Sequence, residues 1–457
     1  MALRFRTVLP ESRWARRLTF AGAGVLLLAV LAGVVYLAFG KPEGDVSNPK
    51  VEFHAPAPKT TKPHVAPKLG EDWPIYGRTP QRTQHAPLSI HPPFKKVWVA
   101  GGKSKSLLEF APILVHGRLY IVNNSARGSA FDARTGKRIW TRHLGSLAAS
   151  SFGYWKGRLF FAPISGKKNR TAREGVVLVS LRAKNGKVLW RKPLPSAAES
   201  GPQVVGGILV LGDEAGNVYG LSPRTGRTLW RYKAGGAVKG GLAYDKGRLF
   251  FGDYSGNVTA LRARDGKRVW QASTSGRAFG LSGQFYGTAA VAFGRVYIGN
   301  TDGKVYSFAE STGELAWRQS TGNYVYASAA VADVNGVGPT VFIGSYDSYF
   351  YALNARTGGV RWRYRSPGRI SGAASVVGNI VYFANLGNNS TAGLDVRTGK
   401  KVWGRGDGGY NPVISDGIRL YLVGYARLYA LKPVKAAKKA PHKAAAKKHK
   451  LKHHPKR

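Results

Sequence analysis

Over residues 247–270 the chain sets short apolar runs between polar turns. Leu249 to Phe251 is uninterrupted and apolar, Asp253 to Asn257 is a polar turn, and Val258 to Leu261 alternates, with Val258 and Ala260 on one side and Thr259 and Leu261 on the other. A second turn, Arg264-Asp265-Gly266-Lys267, leads into a last run ending on Trp270. Runs of this length between turn residues predict antiparallel hairpins. Gly266 suits the left-handed position after a type I turn, where a Cβ would clash. The unit supplies three strands, and an innermost fourth precedes it.

The pattern recurs. Turns of the form Arg224-Thr225-Gly226, each followed by a Trp, place Trp140, Trp190, Trp230, Trp270, Trp317, Trp362 and Trp403 at successive spacings of 50, 40, 40, 47, 45 and 41 residues. A period of about 40–50 residues with four short strands per repeat predicts an all-β propeller of four-stranded antiparallel blades. The Trp of each outermost strand then fills the seam between blades. At the N-terminal end, Lys96-Val97-Trp98 reads as an outer strand without a preceding hairpin, and residues 417–431 read as a hairpin without a following Trp. Joining the two closes the ring without an exposed blade edge, so Trp98 and the seven other Trp residues predict eight blades over residues 71–432.

The flanks differ in kind. Residues 1–18 carry five Arg against one acid, and residues 19–39 are uncharged and apolar on all sides, about 30 Å if helical, which predicts one transmembrane helix with the N-terminus cytoplasmic and the propeller exported. Cleavage near Ala38 and Gly40 is the competing expectation, although the apolar run exceeds a usual signal core. Residues 40–70 are rich in Pro and Lys and predict an extended stalk. Residues 433–457 form a Lys-, Ala- and His-rich tail with no acid, expected to be disordered and to bind polyanions. The formal net charge is +47, with 50 Lys and Arg against 19 Asp and Glu in residues 71–432. Such a balance attracts polyanions. With the propeller outside, the expected partners are proteins, anionic lipid or acidic envelope polymers, and nucleic acid only in the test tube. The chain has no Cys, which excludes disulfides, thiolate metal sites and a Cys nucleophile.

The opening Asp72-Trp73-Pro74-Ile75-Tyr76-Gly77-Arg78, with His85 beyond it, and repeats ending Leu-x-Ala-x-Thr-Gly-x-x-x-Trp resemble the pyrroloquinoline quinone (PQQ) type repeat over roughly residues 72–432. The resemblance implies an eight-bladed propeller. It also spans two functional kinds: quinoprotein dehydrogenases, and non-enzymatic members such as the scaffold propeller of the barrel-assembly machinery and sensor domains of bacterial kinases. The dehydrogenases hold PQQ and Ca²⁺ with carboxylate and amide ligands and an Asp base, and many have an adjacent Cys pair. Here the Cys pair is absent and most acids, such as Asp213, Asp253, Asp265 and Asp302, fall in hairpin turns. No catalytic, cofactor or metal residues are therefore assigned, and PQQ with calcium stays as the alternative.

Segments entering the innermost strands place Glu109, Glu199, Lys239, Gln284, Tyr326, Arg369 and Asn411 near one channel mouth as a candidate ligand site. The alternative is that they pair with one another or meet water. Asp333-Val-Asn335-Gly336 resembles calcium loops of other propellers, but Val337 stands where those supply an acid, so an Asx-type turn is expected. Residues 166–173 form a basic loop expected to be solvated. The sequence thus favours a membrane-anchored, non-catalytic scaffold or binding module, with a PQQ-dependent alcohol or sugar dehydrogenase as the alternative.

Overall fold

The computed structural model describes residues 44–56, 72–101, 107–164, 176–274, 283–411 and 413–434. The apolar segment 19–39, the basic loop 166–173 and the tail beyond Val434 lie outside them. Among the described residues no helix is long and apolar enough to cross a membrane.

The hairpin pattern becomes eight antiparallel four-stranded blades. Blade four shows the logic: Ala243–Asp245, Arg248–Gly252, Asn257–Arg262 and Arg268–Ser273 run from the channel outward. Phe250 pairs with Ala260, and Ala260 with Trp270, so one face of the blade is aligned through three strands. The register slips by one residue between Ala260 and Leu261, the bulge that accompanies Gly266 at φ +70°.

The outer Trp of each blade docks on the last turn of the next. The indole N–H of Trp230 donates to Ala263 O at 3.0 Å, and its ring lies where a Cβ on Gly266 would be, 2.5 Å away. The contact repeats between Trp98 and Gly136, Trp140 and Gly186, Trp190 and Gly226, Trp270 and Gly313, Trp317 and Gly358, and Trp362 and Gly399. Each indole thereby satisfies its N–H while burying its ring in the seam.

Closure joins the chain ends. Phe94–Gly101 is the fourth strand of blade eight and pairs antiparallel with Arg427–Pro433, Lys96 with Leu431 and Trp98 with Ala430, with Val97 at the bulge between them. Because this strand comes from the N-terminal side, blade eight has no last turn to receive Trp403. Phe94 fills that place, edge-on to Trp403 at 5.8 Å.

Two segments outside the repeats depart from expectation. Residues 72–86 form a floor under the channel rather than a simple lead-in. Trp73 bridges to Leu114 of blade one, and the carbonyls of Pro74, Pro80, Gln81, Thr83 and Gln84 accept backbone N–H bonds from Tyr154, Tyr244, Val291, Val331 and Val376. His85–Ala86 then lies parallel beside Ser375–Val377. The inner strands would otherwise leave these N–H groups unpaired.

The stalk expected at 40–70 is corrected over its described part, since residues 44–56 lie against the outside of blades five and six. Val46–Ser47 adds a fifth strand to blade five, pairing with Arg318 and Trp317. The buried Arg295 guanidinium donates to the carbonyls of Val51 and Glu52. Phe53 lies between Arg295 and Arg356, 5.7 and 5.8 Å from their guanidinium carbons. A guanidinium inserted into a blade's outer face needs acceptors, and an extended strand provides them in its unpaired carbonyls.

Candidate functional site: the channel mouth

The segments that enter the inner strands converge above the floor around a cavity of ≈ 260 Å³. Glu109, Glu199, Lys239, Tyr326 and Asn411 line it, as their positions before the inner strands imply. Gln284 and Arg369 do not. Gln284 is held in an exposed loop by its backbone N–H to Thr301 Oγ1 at 2.7 Å. Arg369 is turned onto the face of Tyr346, 5.7 Å from its centre.

The blade-three and blade-four side is ionic. Lys239 Nζ lies 2.6 Å from Glu199 Oε1 and 3.0 Å from Glu214 Oε1. Burial alone would lower the Lys239 pKa, but the two carboxylates outweigh it and hold the ammonium above its usual value. Burial raises Glu199, and the neighbouring Glu214 reinforces that rise. Glu109 is raised by burial alone, with no offsetting partner.

An aromatic row continues from this cluster, with Lys239 Nζ 5.4 Å from the Tyr254 ring centre and Tyr286 Oη 3.4 Å from Glu199 Oε2. Tyr254 and Tyr286 are 6.4 Å apart, Tyr286 and Tyr326 5.5 Å, and Tyr326 and Tyr346 4.8 Å, centre to centre. Burial raises Tyr286 and Tyr326 above the usual phenol value, so both stay neutral hydroxyls at physiological pH. The floor contributes Tyr76 and Arg82. Arg82 is 2% exposed and donates through Nε to Leu242 O at 3.1 Å, through Nη1 to Tyr76 O at 2.5 Å and through Nη2 to Gly201 O at 3.2 Å. Burial lowers its pKa to about 10. No repeat signal marked Arg82 or Tyr76, which occur once and outside the blades. Tyr286 and Ser150 lay within the segments read as channel-lining but carried no distinguishing signal.

Elsewhere the acids serve the fold. Asp213 accepts from the Asn217 N–H at 2.7 Å and Tyr219 Oη at 2.8 Å, Asp265 is held by the Arg262 guanidinium at 2.6 Å, and Asp302 accepts from Tyr306 Oη. The 335–337 turn connects the first two strands of blade six, Ala330–Val334 and Gly338–Gly344. Among the described residues no three His, Cys, Asp or Glu side chains are grouped as a metal would need.

At the mouth, Glu199 and Glu214 are committed to Lys239, and the Asn411 amide donates to Leu108 O at 2.6 Å. That leaves Glu109, too few anionic oxygens for a calcium ion that takes six to eight oxygen ligands. The donor set does not fit the PQQ–calcium pair.

Fold and mouth together define an eight-bladed propeller of the PQQ-repeat type. The chain belongs to the family described as outer membrane protein assembly factor BamB, whose sequence model matches residues 129–303 and 301–434. Among solved structures, BamB from Moraxella catarrhalis superposes with a TM-score of 0.60 at 17% identity, covering 76% of this chain and 100% of that one. The quinohemoprotein alcohol dehydrogenase ADHIIG from Pseudomonas putida HK5 gives 0.67 at 15% identity, covering 81% of each chain. At these identities the likeness is one of fold.

Curated relatives include the quinone-dependent alcohol dehydrogenase subunit of Komagataeibacter europaeus, 28% identical over 149 residues, 29% of this chain and 19% of that subunit. The 1-butanol dehydrogenase (cytochrome c) of Thauera butanivorans is 31% identical over 166 residues, 32% of this chain and 23% of that enzyme. The chain thus spans less than a quarter of the length of either relative.

Proposed function

We propose that this protein is a non-catalytic scaffold of the bacterial envelope, held to a membrane through residues 19–39 with its propeller outside the cytoplasm, and that it binds protein or polyanionic partners. The observation that carries this reading is the mouth's donor set. Its carboxylates are either neutralised by Lys239 or stand alone, as Glu109 does. A redox site built on a quinone and a hard cation would need them clustered and free. Membership of the BamB family supports the same reading. The excess of basic residues favours an acidic surface on the partner. A PQQ-dependent alcohol dehydrogenase remains the second reading, favoured by the partial sequence matches to such enzymes.

The test uses the intact protein and a form ending at Pro433, each titrated with an anionic polymer between about 50 and 200 mM salt. The scaffold reading expects affinity to fall steeply with salt, and the truncated form to bind more weakly with a shallower slope. Equal affinity and slope for both forms would remove the tail from the contact. Absence of binding by either form would contradict the polyanion assignment.

A further inference from the structure

Arg82 is a buried cation whose three hydrogen bonds go to neutral carbonyls, and among the described residues no carboxylate pairs with it. A buried charge without a counter-ion is costly, and this one lines the cavity. On the blade-two side the Ser150 hydroxyl, 4% exposed, also lines the cavity and has no hydrogen-bond partner. A buried cation without a counter-ion and a buried hydroxyl without a hydrogen-bond partner thus share one cavity. Around them stand Glu109, the Asn411 amide and Tyr286, Tyr326 and Tyr410.

We propose that the mouth binds a polyhydroxylated monocarboxylic acid, a sugar acid, with its carboxylate on Arg82, its hydroxyls reaching Ser150, Glu109 and Asn411, and its ring against the tyrosines. One floor cation takes one carboxylate by a charge-assisted bond. The wall is unsuited to more, because Glu109 would repel a second carboxylate and Lys239 is already paired with Glu199 and Glu214. Hydroxyl groups suit it, because they donate to Glu109 and accept from Ser150 and from the second N–H of the Asn411 amide, whose first goes to Leu108 O. The volume, ≈ 260 Å³, accommodates a single small ring. This binding goes beyond the scaffold reading and stands or falls separately from it.

The test is calorimetric titration of the full-length protein at pH 7 with glucuronate, glucose and citrate. Glucuronate is expected to saturate one site. Glucose, which lacks the carboxylate, is expected to bind at least about tenfold more weakly, and citrate more weakly than glucuronate. Arg82 also ties the floor to the segments entering blades three and four, so Ser150→Ala, which removes no internal hydrogen bond, is the diagnostic variant. It should weaken glucuronate roughly two- to tenfold. Glu109→Gln should improve citrate relative to glucuronate. Glucose or citrate binding as tightly as glucuronate, unchanged affinity in Ser150→Ala, or no saturable glucuronate heat would each overturn the assignment.

Discussion

Replacing Gly266 by Ala tests the packing of the ring at its repeated joint. The new Cβ would lie 2.5 Å from the Trp230 ring, at a residue whose φ is +70°. The left-handed backbone alone costs an L-residue about 1–2 kcal/mol. Overpacking against a rigid indole adds about 1–3 kcal/mol, for a total of roughly 2–5 kcal/mol. Gly247, in the first turn of the same blade, isolates the two terms: its φ is +81°, but a Cβ there meets nothing within 4 Å. Gly247→Ala should therefore cost only the backbone term, about 1–2 kcal/mol. The assay is guanidinium unfolding of both variants, comparing midpoints where the slopes agree. A double-mutant cycle completes it: in a Trp230→Leu background, Gly266→Ala should cost no more than Gly247→Ala. If the two single variants unfold at the same midpoint, or the Trp230→Leu background leaves the Gly266→Ala cost unchanged, the indole is not what the turn glycine accommodates.

Three further outcomes follow from closure, the docked N-terminal segment and the mouth. Deleting residues 94–101 removes the fourth strand of blade eight and the partner of Trp403, so unfolding should shift to markedly lower denaturant across the whole ring; a form as stable as the intact protein would refute closure. Deleting residues 44–56 leaves Arg295 without its Val51 and Glu52 acceptors, so amide exchange should accelerate in Leu315–Ser320 of blade five and stay unchanged in blade two; uniform protection would mean the segment is not docked in solution. Burial raises Glu109 above the ordinary glutamate value of 4.5, so its contribution to stability falls as pH rises from 4.5 through the folded value. Glu109→Gln should flatten that fall and raise stability at pH 7, and an unchanged pH profile would contradict it.

The sequence revealed what repeats. The spacing of the Trp residues predicts the blades because each ring meets the next blade's turn glycine at a fixed place. Closure was legible because the unpaired strand at Trp98 and the unpaired hairpin at 417–431 complement each other. Five of the seven mouth residues were legible from their position before an inner strand. Gln284 and Arg369 fall outside the cavity lining because position does not set side-chain direction, and Arg369 lies on Tyr346 instead.

The floor was not legible, for it is held by backbone carbonyls such as those of Pro74, Pro80 and Gln81, which any residue supplies. The docking of residues 44–56 was hidden likewise, since a Pro- and Lys-rich segment reads as a linker and its anchor, Arg295, lies far along the chain. The free charge of Arg82 becomes visible only once the floor is in place.

The central claim is that this propeller binds rather than oxidises. The most direct measurement is reconstitution of the full-length protein with PQQ and Ca²⁺, followed by dye reduction with alcohols and sugars as donors. The account predicts no saturable turnover above the protein-free rate. Saturable turnover that is lost on Glu109→Gln, Glu199→Gln or Asn411→Ala would contradict it and make the channel mouth an active site.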